Sequence, residues 1–238
     1  MLATPSTSVA EYARRAPEPA IQPVHGGDLL SARLSTSGVK RLEGREHLFC
    51  EGDPASHVYR IESGYVCIYK MMPDGRRQVV DFGYPGDLVG LGAGSEHLTS
   101  AHALGSCRVR AIPAATLQHL ARQDAALAMS LYDAVSGELE AARDLLLSCC
   151  QQSAIERLAS FLVMLARRNA RKGLDVTTLN LPMTRSDIGD YLGLTIETVS
   201  RTFTKLKAMG LIELAQCTTV RIVDLGAIEG LAEGGHEN

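Results

Sequence analysis

The chain predicts an α+β fold: an N-terminal antiparallel β-roll, a long dimerisation helix, and a C-terminal winged helix-turn-helix. Three observations carry that prediction. Short β-type runs alternate with glycine turns between about residues 39 and 113. An apolar seam recurs at alternating steps of four and three between residues 125 and 153. The run TRSDIGDYLGLTIETVSRTF, residues 184 to 203, has the spacing of two short helices joined by a tight turn.

With 238 residues, 45 % of them hydrophobic, the chain can bury a core in each of two domains. Residues 1–24 are rich in Ala, Pro, Ser and Thr with little apolar periodicity, and read as a flexible N-terminal arm. They lack the continuous apolar segment of a secretory signal, and no run approaches the length of a spanning helix. A cytoplasmic protein without a membrane partner is expected.

The roll is placed at residues 25–124. HLFCEGD, HVYRIESGYVCIYK, PDGRRQVVDFGYPGD and SCRVRAI are its β-type runs, and turn signals at this spacing predict an antiparallel roll or barrel. Gly52, Gly64, Gly75 and Gly86 are expected in turn conformations that other residues would strain. After Pro113 the pattern becomes helical. In the long helix, residues 125–153, Ala128, Tyr132, Val135, Leu139, Ala142, Leu146 and Cys149 follow the period of a two-stranded coiled coil. Tyr132, Val135, Leu139, Ala142 and Leu146 are therefore the expected dimer interface; the alternative is a helix packed on its own roll.

Residues 154–226 are assigned to the winged helix-turn-helix. Its first helix, from 154 to about 171, carries Ile155, Leu158, Phe161, Leu162 and Leu165 on one face and a basic end. Thr184 then caps a helix, with Asp187 three residues on as a weaker capping box, and Ile188 and Leu192 form its apolar face. Gly189 marks a close approach and Gly193 the turn. Thr195 caps the next helix, whose buried stripe is Val199, Phe203 and Leu206. Beyond Gly210, two short strands turning near residues 216–218 read as a wing, and residues 227–238 as a C-terminal tail.

On the second helix of the pair, Glu197, Ser200 and Arg201 share the face opposite the buried stripe. A guanidinium can donate twice to guanine and a carboxylate can accept from cytosine, so these three are the candidate base readers of double-stranded DNA. Thr184, Arg185, Ser186, Thr195, Thr198 and Lys205 are the candidate contacts to the DNA backbone. The bland alternative is a surface helix with a weak Glu197–Arg201 pair.

Charge fits a local interface. Residues 154–224 hold ten lysines and arginines against seven acidic residues, within a chain of net charge −3. Six cysteines show no metal-binding spacing, and are expected mostly as buried small hydrophobes. The adjacent Cys149 and Cys150 point about 100° apart on a helix, which makes them a poor chelate. An enzyme using either cysteine as nucleophile lacks a marked base partner. A ligand-binding module without a DNA role leaves the helix-turn-helix unexplained.

Glycine-punctuated roll, seam helix and helix-turn-helix, over about residues 28–226, together resemble the CRP/FNR family of bacterial transcription regulators. EGDPASHVYRIESGYVCIYKMMPDGRRQVVDFGYPGDLVG is similar to the family's cyclic-nucleotide-binding-like jelly roll, and LPMTRSDIGDYLGLTIETVSRTFTKLKAMGLI to its DNA-binding signature. Where cAMP-type members read R-E-T-V-G-R, this chain reads Ile196-Glu197-Thr198-Val199-Ser200-Arg201. That form resembles the FNR and FixK branches. The resemblance implies a homodimer on a TTGAT…ATCAA palindrome, RNA polymerase as a partner, and activation of microaerobic, anaerobic or nitrogen-fixation genes.

The effector side departs from two better-known types. The cyclic-nucleotide cassette needs a Glu and an Arg-Ser pair; here stand Gly90-Leu91-Gly92 and Thr99-Ser100. A buried phosphate without its cation is costly, so cAMP is not expected. No cysteine precedes Cys50, so the thiolates of an N-terminal [4Fe-4S] cluster are missing. What remains resembles the FixK-type branch, with no cofactor expected. A ligand-, haem- or nitric-oxide-responsive regulator stays open as the alternative, with His57, His97 or His102 as axial ligand, ahead of an iron-sulfur oxygen sensor.

Overall fold

The computed structural model describes residues 38–92, 94–216 and 218–234, so the expected arm at 1–24 and residues 235–238 lie outside it. The chain divides after Arg143 into two compact units.

The first unit is built on eight strands: β1 (Val39–Leu42), β2 (His47–Phe49), β3 (His57–Ser63), β4 (Val66–Met71), β5 (Arg77–Gly83), β6 (Leu88–Val89), β7 (Ser100–Ala103) and β8 (Cys107–Pro113). They form two antiparallel four-stranded sheets, ordered β1-β8-β3-β6 and β2-β7-β4-β5. Alternate residues point inward, so Leu42, Ile61, Val66, Ala101, Ala103, Cys107 and Val109 meet in one core. Strand β7, SAHA, carries no β-branched or aromatic residue other than histidine, and its place comes from pairing with β2 and β4. Gly64 is required where it stands. Its φ is +82°, and a Cβ there would lie 2.4 Å from the Ser106 carbonyl oxygen. Gly52, Gly75 and Gly86 also hold positive φ, as the turn pattern predicts.

Helix α1 (Ala114–Gln123) starts at Pro113, and α2 (Ala125–Gln151) follows it directly. The Asp124 carboxylate caps α2 by accepting from the amides of Ala126 and Leu127 at 3.0 and 3.2 Å. Leu117 and Leu127 join Val58 and Ile112 in a second apolar cluster that seats both helices on the roll. The seam of α2 is not part of that packing. Tyr132, Val135, Leu139 and Leu146 keep 65, 50, 50 and 63 % of their surface in solvent, and Ala142 is exposed beside them.

The second unit contains α3 (Ala154–Arg171), β9 (Thr178–Asn180), α4 (Arg185–Leu192), α5 (Ile196–Ala208), β10 (Ile212–Gln216), β11 (Thr219–Ile222) and α6 (Leu225–Ala232). The break before α3 is held by the Ser153 amide, which donates to Glu156 at 2.6 Å. Leu158, Phe161, Leu162 and Leu165 are buried on one face of α3. The wing hairpin β10–β11 is extended by β9 into a three-stranded sheet, order β10-β11-β9.

In place of the tail expected at residues 227–238, Leu225–Ala232 form a helix whose Ile228 is fully buried. LGAIEGLA carries two glycines and a weak helical pattern. The Asp224 cap on the Ala227 amide, at 2.9 Å, and packing against α3 outweigh that propensity.

Candidate nucleic-acid interface

The interface is assembled from the turn outward. At the start of α4 the Asp187 amide donates to the Thr184 hydroxyl at 3.1 Å, and the Thr184 amide donates back to Asp187 Oδ2 at 2.8 Å. The box is thus complete with an aspartate in place of the usual glutamate. Gly193 ends α4 at φ +65° in the left-handed region. Gly189 lies against the turn itself, since a Cβ there would stand 2.7 Å from the Leu194 carbonyl oxygen. Thr195 then accepts from the Thr198 amide at 3.2 Å and opens α5.

Val199, Phe203 and Leu206 are buried to within 1 % on the face of α5 that turns inward, and α5 packs against α4, whose Ile188 and Leu192 are buried too. That fixes the opposite face. Glu197, Ser200 and Arg201 stand exposed on it, one helical turn apart. No hydrogen bond or ion pair joins Arg201 to another described residue, so all its donors face solvent. The Glu197 carboxyl is held below its ordinary pKa first by its own backbone amide, then by the Thr195 hydroxyl, and last by the charge of Arg201. It stays an ionised acceptor. The simple Glu197–Arg201 pair is therefore not what organises this face.

Ser200 donates its hydroxyl proton to the Ile196 carbonyl at 2.8 Å. Its remaining lone pairs can accept from a base amine, which makes it an acceptor in this rotamer. The backbone contacts sort differently. Ser186, Thr195 and Lys205 are exposed at the edges of the face. Thr198 shares a 3.1 Å hydroxyl contact with Thr195 at the start of α5. Thr184 gives its proton to Asp187 at 2.7 Å and serves as a cap rather than a phosphate donor. Arg185 has its guanidinium 3.4 Å over the Phe203 ring, and burial pushes its pKa down. From there it braces α4 against α5, and its planar face is spent on the ring.

In the first unit, the hydroxyl of Ser100 accepts from the Glu51 amide at 3.0 Å, beside Thr99. His97 is buried, stacked on Phe49 at 3.7 Å between ring centroids, and desolvation lowers its pKa. A cyclic phosphate placed there would meet the Ser100 hydroxyl proton but, with threonine at position 99, no cation beside it to neutralise its charge. Among the described residues no group of His, Cys, Asp and Glu has the arrangement of a metal site. Cys67 and Cys107 are buried, and burial raises the thiol pKa of Cys107.

Sequence reasoning missed Arg157. Its guanidinium reaches the carbonyls of Cys149, Gln152 and Leu192, and the signal was a lone cation in the first turns of a helix whose other cations sit at its far end. It also missed α6.

A Crp-like helix-turn-helix domain matches residues 156–231, and a cyclic nucleotide-binding domain matches residues 39–124. The transcriptional activatory protein AadR of Rhodopseudomonas palustris is 38 % identical over 192 residues, covering 81 % of this chain and 80 % of that protein. The nitrogen fixation regulation protein FixK of Rhizobium meliloti is 40 % identical over 188 residues, covering 79 % of this chain and 83 % of the relative. The structure of FixK2 from Bradyrhizobium japonicum superposes with a TM-score of 0.76 at 34 % identity, over 82 % of this chain and 96 % of the other.

Proposed function

The chain belongs to the CRP/FNR family of DNA-binding transcription regulators, of FixK type, and from that premise we propose that it binds a TTGAT…ATCAA palindrome as a homodimer through Glu197, Ser200 and Arg201. It is a regulator and not an enzyme. The observation that carries the palindrome is the exposed face of α5, where two acceptors flank a guanidinium with no bonded partner among the described residues. A guanidinium can read guanine bidentately while the acceptors take base amines, and one G·C pair with its neighbour satisfies all three. The phosphates on either side fall to Ser186, Thr195, Thr198 and Lys205.

Two copies are needed because one short helix reads half a palindrome, and the exposed seam of α2 supplies matched apolar knobs for a two-fold pair. RNA polymerase is the proposed partner once DNA is bound, and microaerobic, anaerobic or nitrogen-fixation genes the proposed targets. A protein that works on DNA in this way is proposed to act in the cytoplasm; no helix among the described residues is long and apolar enough to cross a membrane.

We further propose that binding needs neither cAMP nor an iron-sulfur cluster. Thr99 in place of a cation and the lack of any cysteine before Cys50 support that reading. The test is a mobility-shift titration with protein purified without oxygen. Colourless, metal-free protein is expected to shift the palindrome and ignore a scrambled duplex, with no change on adding cAMP. A brown preparation that loses DNA binding as air bleaches it sinks the cofactor-free reading; equal affinity for scrambled DNA sinks the palindrome.

A further inference from the structure

The junction of α2 and α3 holds a polar cluster that neither the reading face nor the seam explains. Arg157 donates from Nε to the Gln152 carbonyl at 3.0 Å, from Nη1 to the Leu192 carbonyl at 3.0 Å, and from Nη2 to the Cys149 carbonyl at 2.8 Å. Cys149 lies in the last turn of α2, Gln152 immediately follows that helix, and Leu192 is the last residue of α4. These are carbonyls a helix cannot satisfy within itself, at the end where its dipole is negative. A guanidinium suits them because it is always charged and presents a rigid fork of donors.

The surroundings are shaped for it. Gly193, which turns α4 into α5, stands beside the fork: a Cβ there would lie 3.5 Å from Arg157 Nη1, in ordinary contact. Cys149 Sγ adds a weak contact to the same Leu192 carbonyl at 3.7 Å. The Gln152 side chain donates to Ala232 at 2.7 Å and accepts from Ser160 at 3.0 Å, which ties α6 to the same point.

We propose that Arg157 is the positioning residue that fixes the helix-turn-helix to the end of α2 and thereby sets which half-site spacing the protein accepts. The inference rests on the dimeric reading of the seam. In a two-fold dimer, the separation of the recognition helices follows from the angle each one holds to its own long helix. Leu192 lies four residues before Ile196, the first residue of α5, so a bond from Arg157 acts close to the reading face. A rigid bond concentrates the second recognition helix at one place along the duplex. A loose one spreads it over neighbouring places and lowers its effective concentration at the best of them.

The experiment titrates the full-length protein against duplexes carrying two TTGAT half-sites, with the spacer varied in single-base-pair steps. Wild type is expected to show one optimum, with a one-base-pair change costing roughly tenfold. Arg157→Met keeps the aliphatic stem and loses the fork. It is expected to weaken the best spacing and keep its neighbours, so that the same change costs about threefold or less. Its preference for G·C within a half-site is expected to stay intact, because that preference lives on α5. If the Met variant loses its cooperative thermal transition, Arg157→Lys carries the same comparison, with a charge but no fork.

A variant that keeps the sharp profile, or that weakens every spacing equally, overturns the proposal and leaves Arg157 an ordinary structural residue. A wild type with no optimum at all defeats the dimeric reading itself, and the proposal falls with it.

Discussion

Arg201 and Glu197 differ in how the fold has prepared them. Arg201 is exposed with no bonded partner among the described residues, whereas Glu197 is already held as an anion by its own amide and by Thr195. Arg201→Ala is therefore expected to cost about 1 to 3 kcal/mol per half-site and to flatten the preference for the G·C pair. Titrations on the palindrome and on its G·C-substituted form measure both; an equal loss on every sequence would show a phosphate contact instead. Glu138, on α2, gives a second residue-scale test. Part of its side chain stays in solvent, yet its carboxyl is pushed up to about 7, first by burial and then by the charges of Asp81 and Asp87. The folded chain therefore keeps a proton that the unfolded chain releases at the ordinary carboxylate pKa. Stability from that proton is complete below the ordinary value of 4.5 and lost as pH rises through about 7. Denaturant midpoints should fall between about pH 5 and pH 8, and Glu138→Gln should flatten the fall. Identical slopes in the two proteins would remove Glu138 from the account.

At the scale of the element, α2 is the instructive case. Its first turns are seated on the roll through Leu127, while Tyr132, Val135, Leu139 and Leu146 face solvent at coiled-coil spacing. A chain does not ordinarily expose such a row of apolar side chains along one helix without a partner surface. Leu139→Glu places a charge at the middle of the seam and is expected to give monomers that bind the palindrome far more weakly. Sedimentation together with the same DNA titration decides it: a variant that remains dimeric and tight places the interface elsewhere.

The whole molecule is two units, each with its own core, and that has a calorimetric signature. The full chain is expected to unfold in more than one step, since a single transition requires one cooperative core. A ligand that binds only the folded form of one unit raises that unit's transition alone. Adding the palindromic duplex should therefore raise the transition of the unit that begins at Asp144 and leave that of the roll in place. A rise of both together would mean that DNA binding is transmitted into the roll.

Local rules account for the parts of this protein that are legible along the chain. Period-two runs between glycine turns gave the roll, and Thr184, Gly189, Gly193 and Thr195 gave the helix-turn-helix to the residue, because caps and close approaches allow few residue types. The exposed face of α5 followed from Val199, Phe203 and Leu206 by helical geometry alone. Tertiary structure decided the rest. Strands β7 and β9 carry weak signals of their own and exist through their partners; α6 is helical because Ile228 is buried and the helix packs against α3. The roles of Arg157, Arg185 and Thr184 depended on which carbonyl, ring or carboxylate lay within reach. Spacing along the chain fixes which face a side chain occupies, but the partner it meets across space is set only when the elements pack.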